Sequence, residues 1–322
     1  MSHALIVEAL RSPRGRGNDK GALRNLKPVD LLAQQLEALA SRTLIQTAQV
    51  SDVYMGCVTQ TADQGANIAK LALIKAGWDD CVPGLSINRY CASGLSAVHM
   101  AAQEAMSCDS LAVGGGIEMM SRVPMASDKG PLTHDFEFQS QTGLIPIGIA
   151  ADVIATQEGF SRQLCDDYAL ASQQRAVAAR DRGHTRAMTE VHDETGAVLL
   201  AQDETPRANT SLDSLAAIQP AFAAMAEKYG IDKLMCHRYG LSKIDHVQHA
   251  GNSPAMADGA SAVLVASPDA AQRAGLKARA KILATATVSA DRTLALTGAV
   301  QATQQALARA KLKVDDIDLF EV

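Results

Sequence analysis

Aromatic side chains are nearly missing from this sequence, with one Trp, five Tyr and five Phe among 322 residues. With Ala, Gly, Val, Ile and Leu plentiful, that composition fits an α/β protein with closely packed helices better than a β-sandwich. Long apolar runs are missing too. No stretch of ~18 apolar residues escapes polar interruption, which argues against a transmembrane protein. There is no basic excess: 30 Lys and Arg face 35 Asp and Glu, a net charge of -5. The concentrated basic face of a nucleic-acid binder is therefore not expected. The six cysteines (Cys57, Cys81, Cys91, Cys108, Cys165, Cys236) include no CxxC pair. Neither a disulfide framework nor a clustered zinc site is indicated, and a reducing cytoplasm is the expected compartment. The first residues lack the basic region and long apolar stretch of a signal peptide. What is present is a 47% hydrophobic share, enough for a packed core and too much for global disorder. The length suggests about two domains.

Along the chain, strand and helix alternate. Residues 4–9 read as a buried strand running into Arg11-Ser-Pro-Arg-Gly-Arg-Gly17, a loop punctuated by Pro13, Gly15 and Gly17. The apolar spacing then predicts helices over 28–40, 67–76 and 94–106, and strands over 53–58, 84–88 and 110–113, the last ending at Gly114-Gly115-Gly116. Such alternation implies crossover units on a mostly parallel sheet. From 121 to 249 the texture becomes polar and Pro/Gly-rich, with helices expected over 165–182 and 212–229. Residues 259–267 return to core-strand character. A weak internal repeat relates 28–58 to 299–322, each reading as helix, connector and strand; chance similarity is the alternative.

The most informative segment is Ile87-Asn88-Arg89-Tyr90-Cys91-Ala92-Ser93-Gly94. A strand ends, the chain turns and a helix begins just after Cys91. A cysteine there faces the positive end of the helix dipole, which favours a thiolate, and the unpaired N–H groups can hold a developing oxyanion. Buried cysteines are also ordinary core residues, so this arrangement alone leaves both readings open.

The sequence resembles the thiolase family. Arg11-Ser-Pro-Arg-Gly-Arg-Gly17, Lys27-Pro-Val-Asp-Leu-Leu32 and Asn88-Arg-Tyr-Cys-Ala-Ser-Gly94 carry the likeness, with Gly114-Gly-Gly-Ile-Glu-Met-Met-Ser-Arg122, Tyr168-Ala-Leu-Ala-Ser-Gln-Gln-Arg175, Pro220-Ala-Phe222, Ala250-Gly-Asn252 and Asp258-Gly-Ala260. The resemblance implies a layered αβαβα fold. The first half would be formed by 1–120 and 250–275, a loop domain covering CoA by 121–249, and the start of an incomplete second half by 276–322.

It also implies an acyltransferase that cleaves 3-ketoacyl-CoA with CoA, through an acyl group carried on Cys91. Biosynthetic condensation of two acetyl-CoA, a non-catalytic CoA-binding protein and a cysteine hydrolase are the alternatives. Arg207, Ser214 and Phe222 match CoA-contact positions, and Ser253 stands in where Pro254 replaces a serine. Their ordinary readings are a solvated loop charge for Arg207, a helix-surface residue for Ser214 and a core anchor for Phe222. Ile147 takes the place of a Met beside the acyl pocket. His99 reads as packing, His246 and His249 as polar lining. CoA is a substrate, no metal or tightly held cofactor is implied, and a homodimer or homotetramer is expected. The family's Asn-Glu-Ala-Phe, Gly-His-Pro and second-Cys motifs do not occur in these 322 residues. A polypeptide of this extent is therefore expected to show negligible thiolase turnover by itself.

Overall fold

The computed structural model describes residues 3–321. The chain divides into two compact units. One holds the chain up to Asp128 with Thr185–Thr205 and Met256–Leu283; the other holds Lys129–His184, Pro206–Ala255 and the chain from Ala284 onward.

The first unit is built on one sheet. β1 (Ala4–Arg11) is followed by a two-residue strand, β2 (Gly15–Arg16), then α1 (Pro28–Thr43), β3 (Val50–Gly56), α2 (Ile68–Lys75), β4 (Gly84–Ile87), α3 (Ser93–Cys108) and β5 (Leu111–Met119). A small hairpin, β6 (Val191–His192) and β7 (Val198–Leu200), precedes β8 (Ala257–Ala266) and β9 (Ala280–Ile282). The strand order is β4-β3-β5-β8-β1-β9, with β2 paired to β8. β4, β3 and β5 run parallel, joined by the crossovers through α2 and α3. β8 is antiparallel to both β5 and β1, so the sheet is mixed rather than mostly parallel. The chain reaches β8 after the long excursion over 129–255, not through a crossover helix, so the preference for a parallel return does not apply.

The period-2 alternation of strands sorts the core into two layers. Val53, Met55, Val113 and Leu264 join Leu31, Leu32, Leu36 and Leu39 of α1 in one cluster. Tyr54, Ala112 and Val265 join Ala97, Ala101 and Ala105 of α3 in the other. α1 starts at Pro28, where the missing N–H costs nothing, and closes at Leu44 in a left-handed conformation.

β5 does not stop at its three glycines but continues through them to Met119. Glycine reads locally as a breaker, yet here it serves close approach. A Cβ on Gly114 would lie 2.5 Å from Val98 Cα, and one on Gly56 would run into the Ser93–Gly94 backbone. Without side chains at these two points, α3 lies directly on β3 and β5. Gly114→Ala is expected to cost about 2–3 kcal/mol through this overpacking, read as a lower urea midpoint with the slope unchanged.

Residues 185–205 pack with the sheet because their polar groups do. Thr189 N–H donates to Arg11 O (3.0 Å), and Asp203 takes a fork of two bonds from Arg11 (2.7 and 2.8 Å).

In the second unit the helices are α4 (Pro131–His134), α5 (Phe136–Thr142), α6 (Ile147–Glu158), α7 (Arg162–Asp181), α8 (Leu212–Ala216), α9 (Ala223–Lys228) and α10 (Ile231–Tyr239), with a further helix Gly298–Ala310. α7 begins a turn earlier than expected because Ser161 caps it, accepting from Leu164 N–H. The single helix expected over 212–229 is two, α8 and α9. Pro220 cannot donate a helical bond and disfavours helix at Gln219, and Ala221 N–H goes instead to Gln248 O (2.9 Å). The strand expected near 314–322 is also not found. Val314–Asp316 is a 3-10 turn, and among the described residues 317–321 pair with no strand. An extended segment without a neighbour has no ladder to hold it. Val153, Met235 and Leu294 centre this unit's core. No described helix is long and apolar enough to cross a membrane.

Candidate functional site

The turn between β4 and α3 is held by side chains that the local sequence supplies. Asn88 donates from Nδ2 to Val58 O (2.9 Å) and accepts Tyr90 N–H at Oδ1 (2.8 Å). Ser93 Oγ accepts Arg89 N–H (2.7 Å) and donates to Tyr90 O (2.6 Å). Tyr90 is left-handed, with φ of 49°. Cys91 comes out of this turn exposed, next to the helix cap Ala92. Most backbone N–H groups of this turn are already engaged, Ala92 with Arg89 O (3.1 Å) and Ser93 with Tyr90 O (3.0 Å) besides the bonds of Arg89 and Tyr90 just given, whereas that of Cys91 takes part in none of these bonds.

The loop after β3 that receives Asn88 is fastened in turn by Glu118 of β5. That carboxylate accepts from Val58 N–H (2.8 Å), Thr59 N–H (3.3 Å) and Gln64 Nε2 (2.7 Å). Gln64, fully buried, also accepts Met119 N–H (2.7 Å). Sequence reading singled out neither Glu118 nor Gln64 as a support of this loop. Asn88 and Ser93 flanking Cys91 are the legible signal, an Asn-turn followed by a helix-start serine.

The other cysteines have different surroundings. Burial, reinforced by Glu118 and only partly opposed by a bond from Thr59, pushes the Cys57 thiol up to about 12. The hydrogen bond to Asp79 raises Cys81, and burial beside Asp166 raises Cys165. Cys108 is exposed but sits at the last residue of α3, the negative end of the helix that Cys91 precedes. His99, half-way into α3, is drawn down by burial and by Arg89, as a packed neutral ring would be.

The remaining candidates lie in the second unit. Arg207 is exposed; its N–H donates to Gln173 Oε1 (2.7 Å) and its guanidinium to Gly251 O (3.4 Å). It borders a groove of about 240 Å³ with Leu170, Gln173, Val177 and Thr210. Ser214 is the third residue of α8 and forms a reciprocal cap with Ser211, accepting Ser211 N–H (3.0 Å) and donating to Ser211 O (2.8 Å). Phe222 is half-buried just before α9, its ring laid over Gly148 of α6 where any Cβ would collide with it. Ser253 is half-buried beside Asn252. Ile147 is exposed at the start of α6.

His249 is a correction to the expected polar lining, because it is fully buried. Its Nδ1 accepts Gly251 N–H (3.0 Å) and its Nε2 meets Asp166 Oδ1 (2.7 Å). His246 is largely buried as well and bridges Asp152 (2.8 Å) and Asp232 (3.1 Å). Among the described residues no three His, Cys, Asp or Glu side chains gather as metal ligands.

A family model described as the thiolase N-terminal domain matches residues 4–228. The chain is 36% identical over 336 aligned residues to a 3-ketoacyl-CoA thiolase of Serratia proteamaculans, covering 100% of this chain and 79% of that protein. Similar proteins of the same name in Erwinia tasmaniensis and Aliivibrio fischeri are 35% and 34% identical, with the same coverage.

Proposed function

The chain belongs to the thiolase family, and we propose that it is an acyl-CoA acyltransferase in which Cys91 carries the acyl group during CoA-dependent cleavage of 3-ketoacyl-CoA. The Cys91 sulfur attacks the C3 carbonyl and a C–S bond forms. The C2–C3 bond breaks, and its electron pair leaves on C2, which takes up a proton equivalent to the one the Cys91 thiol gave up and becomes acetyl-CoA. The sulfur of a second CoA then attacks the enzyme thioester; its new C–S bond replaces the one to Cys91 and releases a shortened acyl-CoA. Developing negative charge on the carbonyl oxygen is met by the backbone N–H of Cys91. Arg207, Ser214, Phe222 and Ser253 hold CoA, with Arg207 suited to a phosphate through its planar fork. CoA is a substrate in this reading, and the working form is a homodimer or homotetramer.

The observation that carries the reading is the placement of Cys91. It is exposed at the start of α3 on a turn pinned by Asn88 and Ser93, whereas Cys57 is buried with its thiol raised and Cys108 closes the opposite end of the helix. Peptide mapping by mass spectrometry after exposure to acetyl-CoA tests it. One acetyl group on the Cys91 peptide is expected; modification spread over other cysteines, or none, overturns it. Asn88→Ala separates pinning from mere exposure. Losing the preorganised turn is expected to slow acylation about tenfold, while alkylation of the still-exposed thiol by iodoacetamide stays nearly unchanged.

A further inference from the structure

We propose that Asp166 is a positioning residue for coenzyme A, a buried carboxylate that fixes the 249–253 turn and helix α8 together in the arrangement the ligand requires. The proposal rests on the reading of Arg207, Ser214 and Ser253 as CoA contacts. Asp166 lies on α7 and is only 3% exposed. Its Oδ1 accepts from His249 Nε2 (2.7 Å) and Asn252 Nδ2 (3.0 Å), and its Oδ2 from Arg162 Nε (2.8 Å). Because Gly251 N–H donates to His249 Nδ1, the ring proton is on Nε2 and points at the carboxylate. Burial opposes ionisation of Asp166, yet the bonds from His249, Arg162 and Asn252 outweigh it and hold the carboxyl below its ordinary range.

Each of these partners reaches onward to one of two segments. On one side, Asn252 accepts His249 N–H (2.8 Å) and donates to Val247 O (3.0 Å), closing the turn. Gly251 O of that turn receives the Arg207 guanidinium (3.4 Å), and Ser253 is the next residue after Asn252. On the other side, Arg162 donates to Leu215 O (2.7 Å) and Ile218 O (2.9 Å), at the end of the helix that carries Ser214. One carboxylate thus fastens two segments that bear two of the four expected ligand contacts, Ser253 and Ser214, and holds the turn whose Gly251 carbonyl receives a third, Arg207. Without it, buried donors on His249, Asn252 and Arg162 lose their acceptor together, and the segments sample other arrangements. Ligand affinity then falls by the fraction of molecules that remain competent.

Calorimetric titration with CoA, at a temperature where each variant is fully folded, tests the proposal. Asp166→Asn, whose amide presents an N–H to one of three donors, is expected to weaken binding at least about tenfold. Arg162→Lys keeps a cation beside Asp166 but not the fork that reaches the α8 carbonyls, and should give a smaller loss. His249→Leu is expected to behave like Asp166→Asn. His249→Gln can accept from Gly251 and donate to Asp166, so it should stay within about threefold of the parent. If Asp166→Asn does not fold, the His249 pair decides, since rescue by Gln and not Leu reports the relay rather than packing. Parent-like affinity in Asp166→Asn and His249→Leu, or equal loss in both His249 variants, overturns the inference and leaves the CoA reading standing. Absence of CoA binding by the parent overturns both.

Discussion

Cys91→Ala is expected to take up no acyl group from acetyl-CoA, while its affinity for CoA stays within about twofold of the parent. The sulfur is the bond-forming atom, so its removal leaves no slower route through the same intermediate, and an unmodified protein mass is the readout. Retained CoA affinity separates a lost nucleophile from lost ligand contacts, because the proposed CoA contacts all belong to residues 206–255. Cys108→Ala is the matched control. It removes an exposed thiol from the other end of the same helix and should leave acylation untouched. Acyl transfer in the Cys91→Ala protein, or its loss in Cys108→Ala, would contradict the mechanism.

The largest stability effect is expected at Asp152→Ala. This residue of α6 is fully buried and accepts from His246 Nδ1 (2.8 Å), Val247 N–H (3.0 Å) and Gln248 N–H (2.9 Å). Truncation leaves an imidazole and two backbone donors without their acceptor, a loss of about 3–5 kcal/mol for a broken buried pair. Chemical denaturation should show it as a transition at much lower urea, and proteolysis should open residues 129–184 and 206–255 first.

The same cluster gives a pH dependence. Burial pulls His246 down, but the bonds to Asp152 and Asp232 outweigh it and raise the ring above its ordinary 6.5. A raised folded value means the folded state binds the proton more tightly. The stabilisation is complete below the unfolded value near 6.5 and is lost as pH rises through the higher folded value. The parent should therefore lose stability relative to His246→Ala over the interval that begins near pH 6.5, the ring's ordinary value, and runs upward. A difference that is flat or grows across that interval would refute the assignment.

Legibility followed distance along the chain. The Cys91 turn was readable because everything that shapes it lies within a few residues: Asn88, Ser93 and a strand followed by a helix. Gly114, Gly115 and Gly116 were misread as a strand end, since their reason is the approach of α3 from another part of the chain. The break at Pro220 is legible in principle, but the apolar spacing over 212–229 masks it, and its cause, the bond of Ala221 N–H to Gln248 O, lies outside that window. His249 could not be assigned from sequence. Its role depends on Asp166, which is 83 residues away.

Composition and periodicity by themselves determined an α/β class, most of its helices and strands, and a cysteine placed where a strand hands over to a helix. Those properties follow from local sterics and apolar spacing, which any short window of chain contains. Tertiary structure alone decided the antiparallel entry of β8, the support of the Cys91 loop by Glu118 and Gln64, and the burial of His246 and His249 against carboxylates. Buried polar groups must find partners, and the partner is chosen by which segments meet after folding rather than by which are neighbours in sequence.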